Sequence, residues 1–227
     1  MFQLHENKLT KSQYDKLYEL CHRYIKYEST SLDWGTGDGH FLEYLSTIVS
    51  IPAGFTIEEP GRLRLNNSLM KYIKYSNDKI QLPFDDKRFD SIFSVGVLEH
   101  VRESGGDEIQ SLNEIYRILK QEGLFICYHF PNKYSWIETI NKKMKMSYSH
   151  PYTYSKKDIV TMLNKTGFQL IEHGRYGFLV RNVILKLPNI LTNNKIIVAL
   201  YNNLDNIFSF PFNLICQNHY FVAKKII

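Results

Sequence analysis

The stretch SLDWGTGDG at residues 31–39 decides the fold. Its beginning, residues 30–34, is typical of a short strand, and three glycines at alternate positions follow. The next segment, HFLEYLSTIVS, has the apolar spacing of a helix, which Pro52 is expected to end. Glycine permits left-handed backbone angles and lets a ligand approach the main chain closely. A strand, a glycine-rich turn and a helix therefore predict a ligand site at the carboxyl end of a strand in an open α/β sheet.

Strand-like and helical segments alternate along the rest of the chain. The further strand-like segments are 54–60, 74–78, 89–98, 124–130, 168–177 and 219–225. Apolar residues have helical spacing at 4–28, 63–73, 106–119 and 156–165, the last with Ser155 as its cap. This alternation predicts an α/β fold: a Rossmann-like, doubly wound, mostly parallel seven-stranded sheet with helices on both faces.

The length and composition suit one domain. The chain has 227 residues, of which 44% are hydrophobic and 22% charged, an ordinary globular balance. Over residues 1–227 we expect a single domain with an N-terminal helical cap at 1–29 and a ligand-binding core at 30–172. Apolar clusters separated by Asn-rich turns predict a helical insertion or lid at 178–216, before the last strand.

Charge and cysteine content narrow the functional classes. The net charge is +5, but Lys and Arg are spread along the chain as on a solvated surface, which argues against a nucleic-acid partner. Cys21, Cys127 and Cys216 are odd in number and far apart, so a disulfide framework or a cysteine zinc site is not expected. Because no signal-peptide core and no apolar run of ~18 residues are found, we expect a soluble, cytoplasmic protein without a transmembrane segment. The oligomeric state is left open.

The spacing of the glycines separates two kinds of nucleotide fold. A dinucleotide fold needs GxGxxG, yet position 40 is His, and the glycines fall at 35, 37 and 39. The stretch instead resembles the first motif, acid-x-Gly-x-Gly-x-Gly, of class I methyltransferases that use S-adenosylmethionine (AdoMet). The resemblance implies AdoMet as the cofactor. It also implies cofactor contacts from this turn, at Asp33, Gly35, Thr36, Gly37 and Gly39.

The resemblance continues at the end of the second strand. There the family carries an acid that binds the ribose, because the two oxygens of a carboxylate can accept from two neighbouring hydroxyls. Glu58 follows the apolar Ile57, and Glu59 precedes Pro60; both arrangements occur in the family. We rank Glu58 first and keep Glu59 as the alternative.

A loop pattern further along is similar to the family's adenine-binding segment. NDKIQLPF at 77–84 is followed by FDSI at 89–92, in the order and spacing of the family. The resemblance implies that Asp78 accepts from the adenine amino group and that the backbone of Lys79 and Ile80 meets the edge of the ring. Together with HPYTYS and TGF further downstream, the resemblance covers roughly residues 30–172.

The end of the fourth strand supplies the candidate catalytic residues. In SVGVLEHV at 94–101, the resemblance places Val95 and Gly96 beside the cofactor and the following residues towards its methyl group. A hydroxyl acceptor needs a general base, and histidine is best suited near neutral pH. His100 is ranked first and His129, after the fifth strand, second. His150 on a later loop is a further candidate, and Tyr128 and Tyr154 are weaker ones.

A metal requirement is not predicted. Some quinone O-methyltransferases of this family carry Glu-x-x-Glu-His at this point and bind a divalent ion. Gly96 stands here in place of the first Glu, so that only Glu99 and His100 remain. Two ligands make a poor metal site.

The sequence says less about the methyl acceptor. Residues 130–155 and 178–216, with the N-terminal helix, are rich in aromatic side chains, Asn and Lys, which suit a sugar or another polar ring. We therefore expect O-methylation of a small polar molecule such as a sugar or glycan precursor. A quinone or lipid-linked acceptor is the alternative, and so is an AdoMet-binding partner protein without catalysis. A dehydrogenase is disfavoured by His40 and the adenine-loop pattern.

Overall fold

Seven strands form the centre of the computed structural model, which describes residues 7–57, 67–145, 149–180 and 188–226. The strands are β1 (Thr30–Trp34), β2 (Ile51–Thr56), β3 (Ile73–Tyr75), β4 (Phe89–Val95), β5 (Leu119–Pro131), β6 (Phe168–Tyr176) and β7 (Asn218–Lys225). They lie in one sheet in the order β3-β2-β1-β4-β5-β7-β6. The order reverses between β1 and β4, and in open α/β sheets ligands bind beside such a point, at the carboxyl ends of the strands.

The helices connect the strands or lie in the peripheral segments. They are α1 (Lys8–Glu19), α2 (His40–Ile48), α3 (Asn67–Met70), α4 (Glu108–Ile118), α5 (Trp136–Lys143), α6 (Lys156–Lys165), α7 (Asn189–Thr192) and α8 (Lys195–Ser209). Short 3-10 turns occupy Leu20–Arg23, Leu98–His100 and Asn213–Ile215. Among the residues that the structure describes, no helix combines the length and apolarity needed to cross a bilayer.

The central strands run parallel and are buried. β1 pairs in parallel with β2 and β4, and the parallel pairs β2–β3 and β4–β5 extend the sheet on either side. Leu32, Ile92 and Phe125, one from each of three central strands, are fully buried. Strands covered on both faces are typical of parallel sheets in α/β proteins. The predicted fold class is therefore confirmed.

Several predicted boundaries differ from those of the structure. Helix α2 ends at Ile48, and Pro52 does not end it but lies inside β2, which begins three residues before the predicted strand. The N-terminal helix is shorter than predicted and begins at its cap, Asn7, whose side chain accepts from Thr10 N. The helix predicted at 63–73 is confined, among its described residues, to α3.

The cap of α6 is as predicted, whereas α5 was missed. Ser155 accepts from Asp158 N and Asp158 accepts in return from Ser155 N, a reciprocal capping box. Helix α5 begins after Ser135, whose side chain accepts from Glu138 N at 3.2 Å. The pattern Ser-x-x-Glu at 135–138 is a helix-start signal that the sequence contains.

The chain divides into two compact units. The sheet unit consists of His22–Phe130, Tyr154–His173 and Tyr220–Ile227. The helical unit consists of Met1–Cys21, Pro131–Thr153 and Gly174–His219, and it contains α1, α5, α7 and α8. The described part of the segment 178–216 is thus largely helical, and it clusters with residues from two distant parts of the chain.

Candidate functional site

The glycine-rich turn after β1 is anchored to the end of β2. The backbone N–H groups of Gly35 and Thr36 both donate to the carbonyl of Phe55, at 3.0 and 2.9 Å, and the Thr36 hydroxyl donates to the same oxygen at 2.8 Å. Gly39, at φ +80°, is the residue before α2. The turn is therefore fixed at both ends by main-chain geometry.

Left-handed backbone angles explain why the turn contains glycine. Gly35 has φ +86°, and a Cβ on it would lie 2.4 Å from Val97 Cγ2, so no side chain fits there. Gly37 has φ +49°, but a Cβ on it would meet no atom within 4 Å. Gly96, after β4, has φ +75°. Gly35 is thus needed for close packing as well as for its backbone angle, whereas Gly37 faces open space.

A cleft of about 290 Å³ lies at the carboxyl ends of β1, β2 and β4, within the sheet unit. Its apolar lining comes from Trp34, Phe55, Ile57, Val97 and Val101. Its remaining lining comes from Gly35, Gly37, Thr56, Lys79, Gly96, His100 and Ser104. Apolar walls with a few polar groups suit a nucleoside. The glycines leave room that side chains would fill, so the lining of the cleft fits AdoMet.

Asp33 lies buried at the end of β1 and does not line the cleft. Its side chain accepts from the backbone N–H of Leu42 in α2, and among the described residues no donor reaches its second oxygen. Burial raises the pKa of Asp33 to about 7, and the bond from Leu42 opposes this rise. Asp33 therefore connects β1 to α2 at the base of the turn.

The predicted adenine loop is held by its own hydrogen bonds. Asp78 Oδ1 accepts from the backbone N–H groups of Ile80 and Gln81, each at 2.9 Å, and these bonds lower the pKa of Asp78. Lys79 lines the cleft, and its ammonium donates to the carbonyl of Ser104 at 2.6 Å. The loop thus reaches the cleft through Lys79, while Asp78 is exposed beside it.

His100 stands on the wall of the cleft. It ends the 3-10 turn after β4, and its side chain is 37% exposed. Its Nδ1 lies 3.0 Å from Glu103 Oε1, and its Nε2 lies 4.0 Å from the buried Glu99 Oε1. Two carboxylates beside one imidazole restrict its orientation.

The other predicted bases have different surroundings. His129 is buried in β5, with a left-handed φ of +62°, and is absent from the cleft lining. His150, in the helical unit, places Nδ1 2.7 Å from Glu138 Oε1. Tyr154 is buried and donates to the buried Glu108, so its pKa lies far above the ordinary value. Tyr128 is also buried. The raised pKa keeps Tyr154 protonated at neutral pH, so it is an even poorer base than an exposed phenol.

The structure brings some predicted site residues together and leaves others apart. Those that line the cleft are Gly35, Gly37, Lys79, Gly96 and His100. Those that lie outside its lining are Asp33, Thr36, Gly39, Asp78, Ile80, Val95 and His129. Glu58 and Glu59 lie outside the described residues.

Most of the apolar residues that line the cleft were not predicted from the sequence. Trp34 is the last residue of β1, Phe55 is the second-last residue of β2, and Val97 follows Gly96, so each is close to a motif that was found. Their position at strand ends is the signal that identifies them once the strands are placed. Within the part of the chain that the structure describes, no three His, Cys, Asp or Glu side chains form a metal site.

Comparisons with known proteins identify relatives that match part of this chain. The model of a methyltransferase domain family matches residues 32–127. An uncharacterized protein of Methanocaldococcus jannaschii is 34% identical over 95 residues, which cover 42% of this chain and 38% of that protein. A sterol 24-C-methyltransferase of Schizosaccharomyces pombe is 27% identical over 108 residues, which cover 45% of this chain and 28% of that protein. The chain thus spans well under half the length of these relatives.

A solved structure has a similar fold over nearly the full length of the chain. A putative sarcosine dimethylglycine methyltransferase from Galdieria sulphuraria superposes with a TM-score of 0.66 and covers 99% of this chain and 94% of its own. At 16% identity, the likeness concerns the fold alone. The matched domain begins at β1 and ends in β5, so it includes the glycine-rich turn and the strands that carry the cleft. Residues 32–127 thus match a methyltransferase domain, and the fold of the chain is that of AdoMet-dependent methyltransferases.

Proposed function

We propose that this chain transfers a methyl group from AdoMet to a hydroxyl group of a small polar acceptor, such as a sugar or a glycan precursor. The observation that carries the proposal is the cleft at the carboxyl ends of β1, β2 and β4, with the glycine-rich turn on its lining. When bound, AdoMet supplies an electrophilic methyl group. The protein has to hold the acceptor in line with it, and orientation alone can contribute ~7–11 kcal/mol.

Cofactor binding would use three parts of the cleft. Gly37 and Gly96 would let the cofactor approach the main chain, because neither carries a side chain into the cleft. Lys79 and the apolar Val97 would flank the adenosine. Glu58, or Glu59 in the alternative, would accept from the ribose hydroxyls, since Ile57 just before them lines the cleft.

The general base in this proposal is His100. It lies on the cleft wall, and Glu103 Oε1, 3.0 Å from Nδ1, restricts the orientation of its ring. His129 ranks second because it is buried. His150 also has a carboxylate partner, Glu138, as bases in catalytic sites do. It is the third candidate.

The choice of a sugar-like acceptor is part of this proposal and rests on the amino-acid composition. The helical unit presents aromatic rings, with Trp136 donating to the carbonyl of Phe178 at 2.9 Å and Phe178 stacked on Phe212. Aromatic faces beside amides suit sugars. A quinone or lipid-linked acceptor stays the alternative, and so does an AdoMet-binding protein without catalysis. A cytoplasmic location is also proposed, because the three cysteines are buried and form no disulfide.

Two measurements test the proposal in sequence. Isothermal titration of the full chain with AdoMet, S-adenosylhomocysteine and NAD should show binding of the first two and none of NAD. Binding of NAD alone would refute the family's cofactor for this chain. Transfer of a labelled methyl group is then measured with nucleotide sugars, glycans and quinones. Methylation of a quinone alone would refute the sugar acceptor, and AdoMet binding without transfer to any acceptor would favour the non-catalytic alternative.

A further inference from the structure

The helical unit carries an unusual share of the apolar surface. Nineteen large apolar side chains are exposed among the described residues, and fourteen of them belong to this unit. Ten of the fourteen lie between Ile190 and Leu214. Contiguous exposed apolar surface of this kind marks a site of interaction, whereas single exposed apolar residues are ordinary.

Helix α8 turns several of its polar side chains towards the rest of the helical unit, the reverse of an ordinary surface helix. Its polar side chains contact the rest of the helical unit: Asn202 Nδ2 donates to Ser12 Oγ at 2.8 Å, and Asn206 accepts from Lys16. Asp205 accepts from Leu179 N at 2.7 Å. A surface helix normally turns its apolar stripe inward and its polar side outward. In α8 three polar side chains, Asn202, Asp205 and Asn206, are thus bonded inside the unit.

The outer side of α8 carries a stripe of exposed apolar side chains, with the exposed Asn203 among them. Ile196 and Leu200 are 78% and 58% exposed, Ile207 is 63% exposed, and Phe210, just past the end of the helix, is 89% exposed. These residues recur at three- to seven-residue intervals, as positions on one side of a helix do. Between Lys195 and Leu214 the only carboxylate is Asp205, which is half-buried and turned to Leu179. The stripe therefore contains no exposed negative charge.

The helical unit also carries the net positive charge of the chain. Its residues include eleven Lys and Arg and five Asp and Glu, a net charge of +6, whereas the sheet unit has seventeen and eighteen, a net charge of −1. Exposed lysines Lys142 and Lys143 end α5 beside the exposed Met144. The overall charge of +5 thus arises from the helical unit alone.

We propose that the helical unit docks on an anionic lipid surface through the α8 stripe, defined by Ile196, Leu200, Ile207 and Phe210. Interfacial helices insert an apolar face at the boundary of head groups and acyl chains, and basic residues strengthen their binding to anionic lipid. A second copy of the chain is disfavoured as the occupant. A symmetric contact would bring two units of charge +6 together. The proposal does not depend on methyl transfer.

Vesicle binding by the full chain tests the proposal without AdoMet. The protein is sedimented with vesicles of phosphatidylcholine and phosphatidylglycerol, and in parallel with vesicles of phosphatidylcholine alone. We expect binding to the mixed vesicles that weakens as salt is raised, and several-fold weaker binding to the neutral ones. Equal binding to both, or binding to neither, would overturn the proposal.

Matched variants locate the contact. Phe210→Ser and Ile196→Ser should each lower binding to the mixed vesicles about tenfold, because each removes one large side chain from the apolar contact. Tyr27→Ser is the control, since Tyr27 is 65% exposed but belongs to the sheet unit, and its binding should equal that of the wild type. Thermal melting of each variant confirms folding, and two stripe positions keep the test decisive if one variant fails to fold.

Sedimentation equilibrium separates the lipid surface from a second copy. The proposal expects no self-association that Phe210→Ser removes. A dimer that this substitution dissociates, together with no vesicle binding by the wild type, would assign the stripe to contact between copies and refute the lipid surface.

Discussion

Gly35 and Val97 pack so closely that no side chain fits between them. A Cβ on Gly35 would lie 2.4 Å from Val97 Cγ2 and 2.9 Å from Val97 Cγ1. Gly35 follows β1 and Val97 follows β4, the two strands between which the order of the sheet reverses. The contact therefore joins the two loops that form the cleft at the point where this fold binds ligands.

Substitution by alanine should separate packing from access at the turn. Gly35→Ala adds an overpacked contact and a left-handed alanine, so it should lower the free energy of unfolding by about 2–4 kcal/mol. Gly37→Ala should cost about 1 kcal/mol, because only its backbone angle is unfavourable. Gly37→Ala should nevertheless weaken AdoMet binding, since the new methyl group would stand in the cleft. Urea unfolding and calorimetric titration measure the two effects, and indistinguishable variants would contradict the geometry.

The buried carboxyl group of Asp33 should make stability depend on pH. Its pKa is raised from 3.8 to about 7 in the folded protein. The folded state therefore keeps a proton that the unfolded chain loses, and this contribution is fully present below pH 3.8 and lost as the pH rises to about 7. Three pH units correspond to about 4 kcal/mol.

Asp33→Asn isolates this effect, because asparagine can still accept from Leu42 N but does not titrate. Relative to the variant, the wild type should lose stability between about pH 4 and pH 7 and change little above that. Urea unfolding of both proteins across this range measures the difference. Parallel curves would show that the carboxyl group is already ionised at low pH in the folded state.

The two candidate ribose acids are distinguished by their effect on AdoMet affinity. Glu58→Ala should weaken binding more than Glu59→Ala, because loss of a bidentate contact leaves the ribose hydroxyls without partners, at a cost of about 1–3 kcal/mol. Titration calorimetry compares the two variants. A larger effect of Glu59→Ala would place the functional acid one residue later in the loop after β2.

Local patterns predicted the strands well, but not where neighbouring elements meet. The sequence predicts a helix over 106–119 and a strand over 124–130, yet β5 begins at Leu119, directly after α4. Leu119 lies opposite Phe89 and Leu124 opposite Ser91, so extra residues of β5, including Glu122 at φ +65°, form an irregularity in the ladder. Such an irregularity depends on pairing with β4, a contact between residues distant in sequence.

In the candidate site, too, some residues could be predicted from the sequence and others could not. The glycines at 35 and 37 could be predicted because left-handed backbone angles leave a direct trace in the residue type. Phe55 and Val101 could not, because an apolar residue is the same in sequence whether it lines a cleft or packs in the core. Asp33 was found by its motif, but burial and its bond from Leu42 give it a structural role that the motif alone does not indicate.

His100 is the residue on which the proposed reaction depends most directly. Removal of a general base typically lowers the rate by 10²–10⁴-fold, so His100→Ala should reduce turnover into that range while AdoMet affinity changes little. Single-turnover methyl transfer measures the first and calorimetry the second. His129→Ala is the control: the side chain is buried in β5, away from the cleft lining, so its variant should lose stability more than turnover.

If His129→Ala alone abolished turnover, the two roles would be exchanged. If neither substitution mattered, His150→Ala would test the pair with Glu138. Full activity of all three variants would mean that the acceptor needs no base, as a nucleophilic nitrogen or carbon does not, and would remove the reason for proposing O-methylation.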